Sequence, residues 1–146
     1  MGKIRPNFGL KEFVPPTIWT QFRDRARWFL DPRMLDLAQF YRDFFGKPVY
    51  VNTWGVDWLG TNFELRGFRP PSADTGAHYS QHKFGRAFDC NVKGMTPDEV
   101  RGAIRENESA FMGAGLTTLE SGEIADTWVH SDIRTTDQDS ILIVTP

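Results

Sequence analysis

Cysteine is nearly absent from this chain: Cys90 is the one thiol in 146 residues. It cannot close an internal disulfide, and a thiolate zinc site would need several such ligands. The disulfide-rich secreted class is thereby excluded. An excess of either charge is missing as well. Seventeen Lys and Arg stand against nineteen Asp and Glu, a formal net charge of −2, so there is no basic footprint for nucleic acid. Long apolar runs are lacking, and with them any segment of about 18 residues able to span a membrane. The first residues, Met1 to Phe8, carry early charges but no apolar h-region, so no export signal is expected. Gly2 does not open a myristoylation motif, because Pro6 occupies the position that calls for Ser or Thr. Internal repeats and low-complexity tracts are also lacking.

What is present suits a globular protein. Apolar residues make up 40% of the chain, with twelve Phe, five Trp and three Tyr. At this length roughly two-thirds of the unfolded surface is buried on folding, so one domain over residues 1–146, acting as a monomer, is expected. A Gly-, Pro- and polar-rich stretch from about Trp54 to Gly85 divides a helical half from a strand-rich half.

In the first half, Thr17 follows Pro15-Pro16 as an N-cap, and Ile18, Phe22, Ala26 and Phe29 form a helical stripe. Asp31-Pro32 ends that helix and starts a second. The second stripe is Met34, Leu37, Tyr41 and Phe44, stopping near Phe45 with Gly46 behind it. Val49-Tyr50-Val51 reads as a strand. In the second half, Thr96-Pro97-Asp98-Glu99 is a capping box opening a helix that runs to about Asn107. Residues 116–120, 128–134 and 140–144 read as short strands in an antiparallel set. Helices segregated from strands imply an α+β domain. The aromatics Trp19, Phe22, Trp28, Phe29, Phe40, Tyr41, Phe44 and Phe45 lie at helical spacings and are expected in the core. Trp54 and Trp58 either line a groove for a sugar or peptide or are buried beneath the middle stretch.

The histidines are His78, His82 and His130. His82 precedes Asp89 by seven positions with Gly85 between them, and His130 shares a strand face with Asp132 two residues on. Two imidazoles and a carboxylate suffice for catalytic zinc, which keeps its fourth position for water. Alternatively, His82 and His130 are hydrogen-bonded structural residues and Asp89 caps a turn. His78 is either a substrate-side residue or a solvated loop residue. Cys90 follows Asp89 on a strand and so faces away from it, in a small apolar role.

Three blocks decide between these alternatives by resemblance. Gly67-Phe68-Arg69-Pro70, then Ser80-x-His82-x-x-Gly85-x-Ala87-x-Asp89, then Trp128-Val129-His130-x-Asp132 resemble the zinc D-Ala-D-Ala carboxypeptidase and peptidoglycan endopeptidase family, which shares its fold with the Hedgehog signalling domain. The resemblance covers about Phe8 to Arg134, including Phe8-x-Leu10-x-Glu12-Phe13, with the metal-site core at about 48–134. It implies N-terminal helices with a small, mainly antiparallel sheet bearing one zinc per chain, held by His82, Asp89 and His130. It further implies that Arg69 binds a substrate carboxylate or stabilises the oxyanion, a role suited to a permanently charged planar fork. In a different environment Arg69 would be a surface salt bridge. Ser80 orients the loop or a substrate group, or only caps a turn. Gly85 and Ala87 leave room for backbone turning and close packing beside the metal. Asp132 is expected to accept from a ligand imidazole and so fix its tautomer.

One departure from that family concerns the general base. Many relatives carry Glu or Asp three residues before the last zinc histidine, or a second His two before it; Thr127 and Trp128 stand there in this chain. Neither can accept a proton. The nearby carboxylates are Glu120, Glu123 and Asp126, of which Glu120 ends the preceding strand and Asp126 lies in the turn. Opposed residues in an antiparallel pair have a constant sum, and an even sum would put Glu120 on the face of His130, so Glu120 is preferred. The implied activity is hydrolysis of peptide bonds in peptidoglycan stem peptides or cross-links, as carboxypeptidase or endopeptidase. Synthesis in the cytoplasm would be followed by action on the cell wall after release, or by association with a virion. The second function considered is a zinc-binding but catalytically silent interaction or virion structural domain of the same fold.

Overall fold

The structure, a computed structural model, describes residues 2–146. Met1, included in the expected domain range and in the N-terminal pattern above, lies outside the described residues. A hairpin of β1 (Lys3–Arg5) and β2 (Phe8–Gly9) leads into α1 (Pro16–Phe22), a 3-10 segment (Arg23–Phe29) and α2 (Pro32–Phe45). Then come β3 (Val49–Tyr50), a long connection, a short 3-10 turn (Gln81–Phe84) and β4 (Ala87–Val92). The chain continues through α3 (Pro97–Glu106), α4 (Glu108–Gly113), β5 (Thr118–Glu120), β6 (Val129–Asp132) and β7 (Leu142–Val144). The result is a mixed α+β arrangement around a five-stranded sheet, ordered β3-β4-β6-β5-β7. Among the described residues no helix is long and apolar enough to cross a membrane.

Local chemistry explains the element ends. Asp31 accepts from Arg33 N–H and Pro32 occupies the first turn of α2, while Gly46 ends it in the left-handed region. Thr96 and Glu99 form the reciprocal capping box of α3. The first helix departs from its expected form. Pro15, not Thr17, is its N-cap, and the helix stops at Phe22 because Arg23 turns the backbone to φ +50. That turn folds Phe22 edge-on against Phe29, at 4.9 Å between centroids, and lets Phe29 stack on Phe68 at 5.2 Å. The spacing of a single stripe is therefore shared by two segments. Helix α4 has no clear signal in the sequence, yet it places Phe111 at the centre of a ring cluster with Phe40, Tyr41 and Phe44.

Two further expectations need correction. The last strand does not join an antiparallel set: β7 pairs parallel with β5, because the connection from β6 returns the chain past β5 to the outer edge of the sheet. Trp28 is not in the core. Its side chain is 73% exposed, with the Arg25 guanidinium 6.0 Å from its ring. Phe44 is also partly exposed, at 40%, although it touches Phe111. Trp54 donates its indole N–H to Val14 O at 2.9 Å, and Trp58 stacks on Tyr50 at 4.6 Å.

Strand alternation divides the sheet into two unlike faces. Phe88, Cys90 and Val92 of β4, Leu119 of β5 and Val129 of β6 join the buried core with the helices. Tyr41 of α2 is edge-on to Phe88 and shares a 2.6 Å hydrogen bond with Ser131. Ala87, Asp89, Thr118, Glu120, His130 and Asp132 occupy the opposite face.

The 81–84 turn abuts the N-terminal segment through Gly85. This residue lies at φ +68, and a Cβ there would sit 1.9 Å from Phe29 O; Asp31 N–H also donates to Gly85 O at 3.0 Å. Gly85→Ala meets both backbone strain and a backbone clash, together costing about 2–4 kcal/mol. We expect its thermal midpoint to fall by on the order of 10 °C; an unchanged midpoint in a calorimetric scan would show that this contact does not hold the turn.

Candidate metal centre

Register brings the polar residues together. In the β4–β6 ladder Asp89 lies directly across from His130. In the β5–β6 ladder Thr118 pairs with Asp132 and Leu119 with Ser131, an even sum that aligns Glu120 with the other side of His130. One row across three strands thus carries a carboxylate, an imidazole and a second carboxylate.

His82 reaches this row from outside the sheet. Ser80 Oγ caps the 3-10 turn by accepting from His82 N–H at 3.2 Å, and Arg69 N–H donates to His82 O at 3.1 Å. The ring nitrogen Nδ1 lies 2.8 Å from Gly67 O. A carbonyl only accepts, so Nδ1 carries the proton and Nε2 presents its lone pair. Gly67 allows this approach, since a Cβ there would lie 2.4 Å from Phe13 O. On His130 the nitrogens are exchanged: Nε2 is 2.8 Å from Asp132 Oδ2, and Nδ1 faces the centre.

The three inward atoms form a near-regular triangle. His130 Nδ1 is 3.0 Å from Asp89 Oδ1 and 3.2 Å from His82 Nε2, and His82 Nε2 is 3.2 Å from Asp89 Oδ1. Metal–nitrogen bonds of about 2.0–2.1 Å at tetrahedral angles would separate ligand atoms by about 3.3–3.4 Å, so the triangle is nearly the size of one face of such a site. All three residues are buried, and the group could hold a metal ion.

Supporting groups hold each ligand. Asp132 is wholly buried and also receives Arg134 Nη2 at 2.6 Å and Nε at 2.9 Å. Asp89 Oδ2, the oxygen turned away from the triangle, receives Arg69 Nη2 at 3.2 Å, while Arg69 Nε donates to Leu65 O at 2.8 Å. Burial opposes charge on His130, but its hydrogen bonds to Asp132 and Asp89 prevail and raise its pKa from 6.5 to about 10. Burial would raise Asp89, yet the neighbouring His82 and His130 imidazoles, through electrostatics and hydrogen bonding, hold it well below the usual carboxylate range. A proton on His130 Nδ1 and a cation therefore compete for one place.

The sequence candidates fall in distinct places. His82, Asp89, His130, Arg69, Ser80 and Glu120 all line one recess of about 250 Å³. Glu120 Oε1 lies 3.8 Å from His130 Nδ1. Asp126 is exposed and outside the recess, as is His78. Arg69 is buried, not a surface salt bridge. Cys90 lies on the helix-facing side, where burial pushes its thiol up. Sequence reasoning missed Arg134, Gln81 and Trp128, which also line the recess. Arg134 follows the same two-residue alternation as His130 and Asp132 and was recognisable from it. Trp128, two positions before His130, shares that alternation, whereas Gln81 carries no such mark.

A scan against family models, a search of the curated proteins and a search of the solved structures each returned no match.

We expect the purified protein to bind about one equivalent of a divalent transition metal, and His82→Ala and His130→Ala to lose it. Asp132→Asn should retain the fold and weaken binding by about 10–100-fold. Full retention of metal in both alanine variants, measured by metal analysis after dialysis, would overturn the assignment. In metal-stripped protein at pH 7, below the His130 pKa of about 10, the imidazole is charged, so metal uptake should release about one proton. Affinity should accordingly fall on acidification, as titration calorimetry in buffers of different ionisation enthalpy will read.

Proposed function

We propose that this protein is a zinc-dependent metallopeptidase acting on peptide bonds of peptidoglycan stem peptides, with the Hedgehog/DD-peptidase fold suggested by its three sequence blocks. Its place of action would be the cell wall after release from the cytoplasm. The observation that carries the reading is the triangle of His82 Nε2, Asp89 Oδ1 and His130 Nδ1, each side 3.0–3.2 Å, with Glu120 Oε1 beside it. Two imidazoles and one carboxylate suit zinc, whereas Mg²⁺ and Ca²⁺ prefer all-oxygen sets. Three protein ligands opening onto a recess suit a catalytic site better than a closed four-ligand structural one.

Bound at this triangle, zinc would supply Lewis acidity, polarising the scissile carbonyl and bringing the pKa of a water molecule towards 7. The remaining work belongs to the chain. Glu120 is partly exposed in the recess and takes the proton of the attacking water, the task for which Thr127 and Trp128 are unsuited. Oxygen adds to the carbonyl carbon, the C–N bond breaks, and Glu120 returns the proton to the departing amine. Arg69 uses Nη2 and Nε to hold Asp89 and Leu65 O, which leaves Nη1 for a carboxylate or the developing oxyanion. Asp132 and Gly67 O keep the two imidazole lone pairs inward.

Glu120→Gln should fold, keep its metal and lose about 100- to 10,000-fold in turnover, followed by mass analysis of digested peptidoglycan. If zinc-loaded wild-type protein cleaves no muropeptide of any stem type, the silent-domain function replaces this one. Arg69→Lys keeps the charge without the fork, and we expect about 10–100-fold lower activity with the melting temperature preserved. Early melting would make Arg69 a structural anchor.

A further inference from the structure

Charge is unevenly distributed along the chain. Residues 1–33 hold seven Lys and Arg against three Asp and Glu, whereas residues 34–146 hold ten against sixteen. Most of the early cations are engaged. Arg5 pairs with Asp36 and Arg33 with Asp31, each at 2.7 Å, while Lys11 and Arg23 lie over the Trp19 ring at 5.2 and 5.4 Å. Arg25 and Arg27 are different. Both are exposed on the 3-10 segment Arg23–Phe29, and among the described residues neither makes an ion pair with a carboxylate. Together with Trp28 and Asp24, the one carboxylate of the segment, they line a shallow hollow of about 360 Å³. Phe29 turns inward to stack on Phe68, and Trp28 beside it is left outside, 73% exposed. One exposed apolar side chain needs no explanation. Here there is a second on an adjoining segment: Phe84 is 53% exposed and precedes Gly85, which packs on the Phe29 carbonyl.

We infer that the Arg23–Phe29 segment docks this protein on an anionic lipid bilayer, with the Arg25 and Arg27 guanidinium groups on headgroup phosphates and the Trp28 indole in the interfacial layer. The inference goes beyond the peptidase reading and does not depend on it. Charge complementarity selects an anionic partner, and a guanidinium fork meets phosphate with two parallel hydrogen bonds. The exposed indole then selects among anionic partners. A soluble polyphosphate satisfies the arginines and leaves the ring in water, whereas the headgroup layer of a bilayer takes an amphipathic ring alongside phosphate. The acidic excess of residues 34–146 repels the same surface, so the basic face is the one that approaches. The contact is peripheral, made by side chains on the bilayer surface. Phe84 is two residues from His82, so docking brings the turn that carries one inward ligand atom close to the lipid.

The test is co-sedimentation of the full chain with vesicles of phosphatidylcholine alone or with about 30% phosphatidylglycerol. The protein should partition onto the anionic vesicles and not onto the neutral ones, and binding should fall steeply between about 50 and about 500 mM salt. A cation near such a surface contributes about fivefold in affinity, so Arg25→Gln with Arg27→Gln should weaken binding by about 25-fold. Arg105→Gln, which removes an exposed cation elsewhere, should change it less than about twofold. Trp28→Ser should weaken binding by at least about fivefold with the melting temperature preserved. Equal binding to both vesicle types, no binding to either, a double variant within about threefold of wild type, or an Arg105 variant as impaired as Arg27→Gln would each overturn the docking face. A short single-stranded oligonucleotide, used as a soluble polyphosphate, should bind more weakly than the anionic vesicles at equal phosphate concentration. Tighter binding to it, or unchanged vesicle binding by Trp28→Ser, would show a face that reads charge alone and would overturn the bilayer as its partner. Early melting of Trp28→Ser would return the indole to the fold and overturn its interfacial role.

Discussion

The pairing of β4 with β6 that sets Asp89 across from His130 is the constraint on which the other features depend. A slip of one residue would exchange faces, turning Asp89 and His130 into the helical core and Phe88 and Cys90 towards the recess. Charge would then be buried without partners, at a cost that apolar burial could not offset. The apolar side of the sheet therefore determines the polar side. Phe88, Cys90, Val92, Leu119 and Val129 hold the register by packing beneath the helices, and the row from Asp89 through His130 to Glu120 follows from it.

Hydrogen bonding completes what register begins. The strands provide two of the three inward atoms, while the third arrives on a 3-10 turn outside the sheet. Ser80 caps that turn and Gly67 O fixes the imidazole. Asp132 performs the corresponding task for His130 and is itself held by the Arg134 fork. Each inward lone pair is thus determined on its outward side, a pre-arrangement that reduces the ordering needed when a cation is bound.

Much of this was legible in the chain, for identifiable reasons. Caps are short-range chemistry, so Asp31-Pro32, Gly46 and Thr96 through Glu99 marked their helix ends correctly. Strand parity is equally local, and it placed Glu120 beside His130. Periodicity failed where tertiary contacts redirected the backbone: the Phe22–Phe29 contact accompanies the turn at Arg23 that the stripe conceals. Trp28 has helical spacing but an exposed position, because that spacing says nothing about which face of a 3-10 segment the core will cover. Parallel addition of β7 is a matter of chain path, which short-range pattern does not encode. The acceptor for His82 Nδ1 was similarly hidden, since a backbone carbonyl leaves no side-chain signature.

The close approach of Gly85 to Phe29, together with that of Gly67 to Phe13, has a consequence for how this molecule could be divided. Both histidine-supporting loops lean on main chain from the first thirty residues, with Phe68 N–H donating to Phe13 O at 2.7 Å. Residues 48–134 contain every inward ligand atom but not the surface against which two of their loops are shaped. Excised by itself, that portion would lack the floor of its own cation cradle. The N-terminal arm therefore shapes the candidate metal centre as well as the architecture, and transplanting the three motif blocks to another scaffold would require transplanting that arm with them.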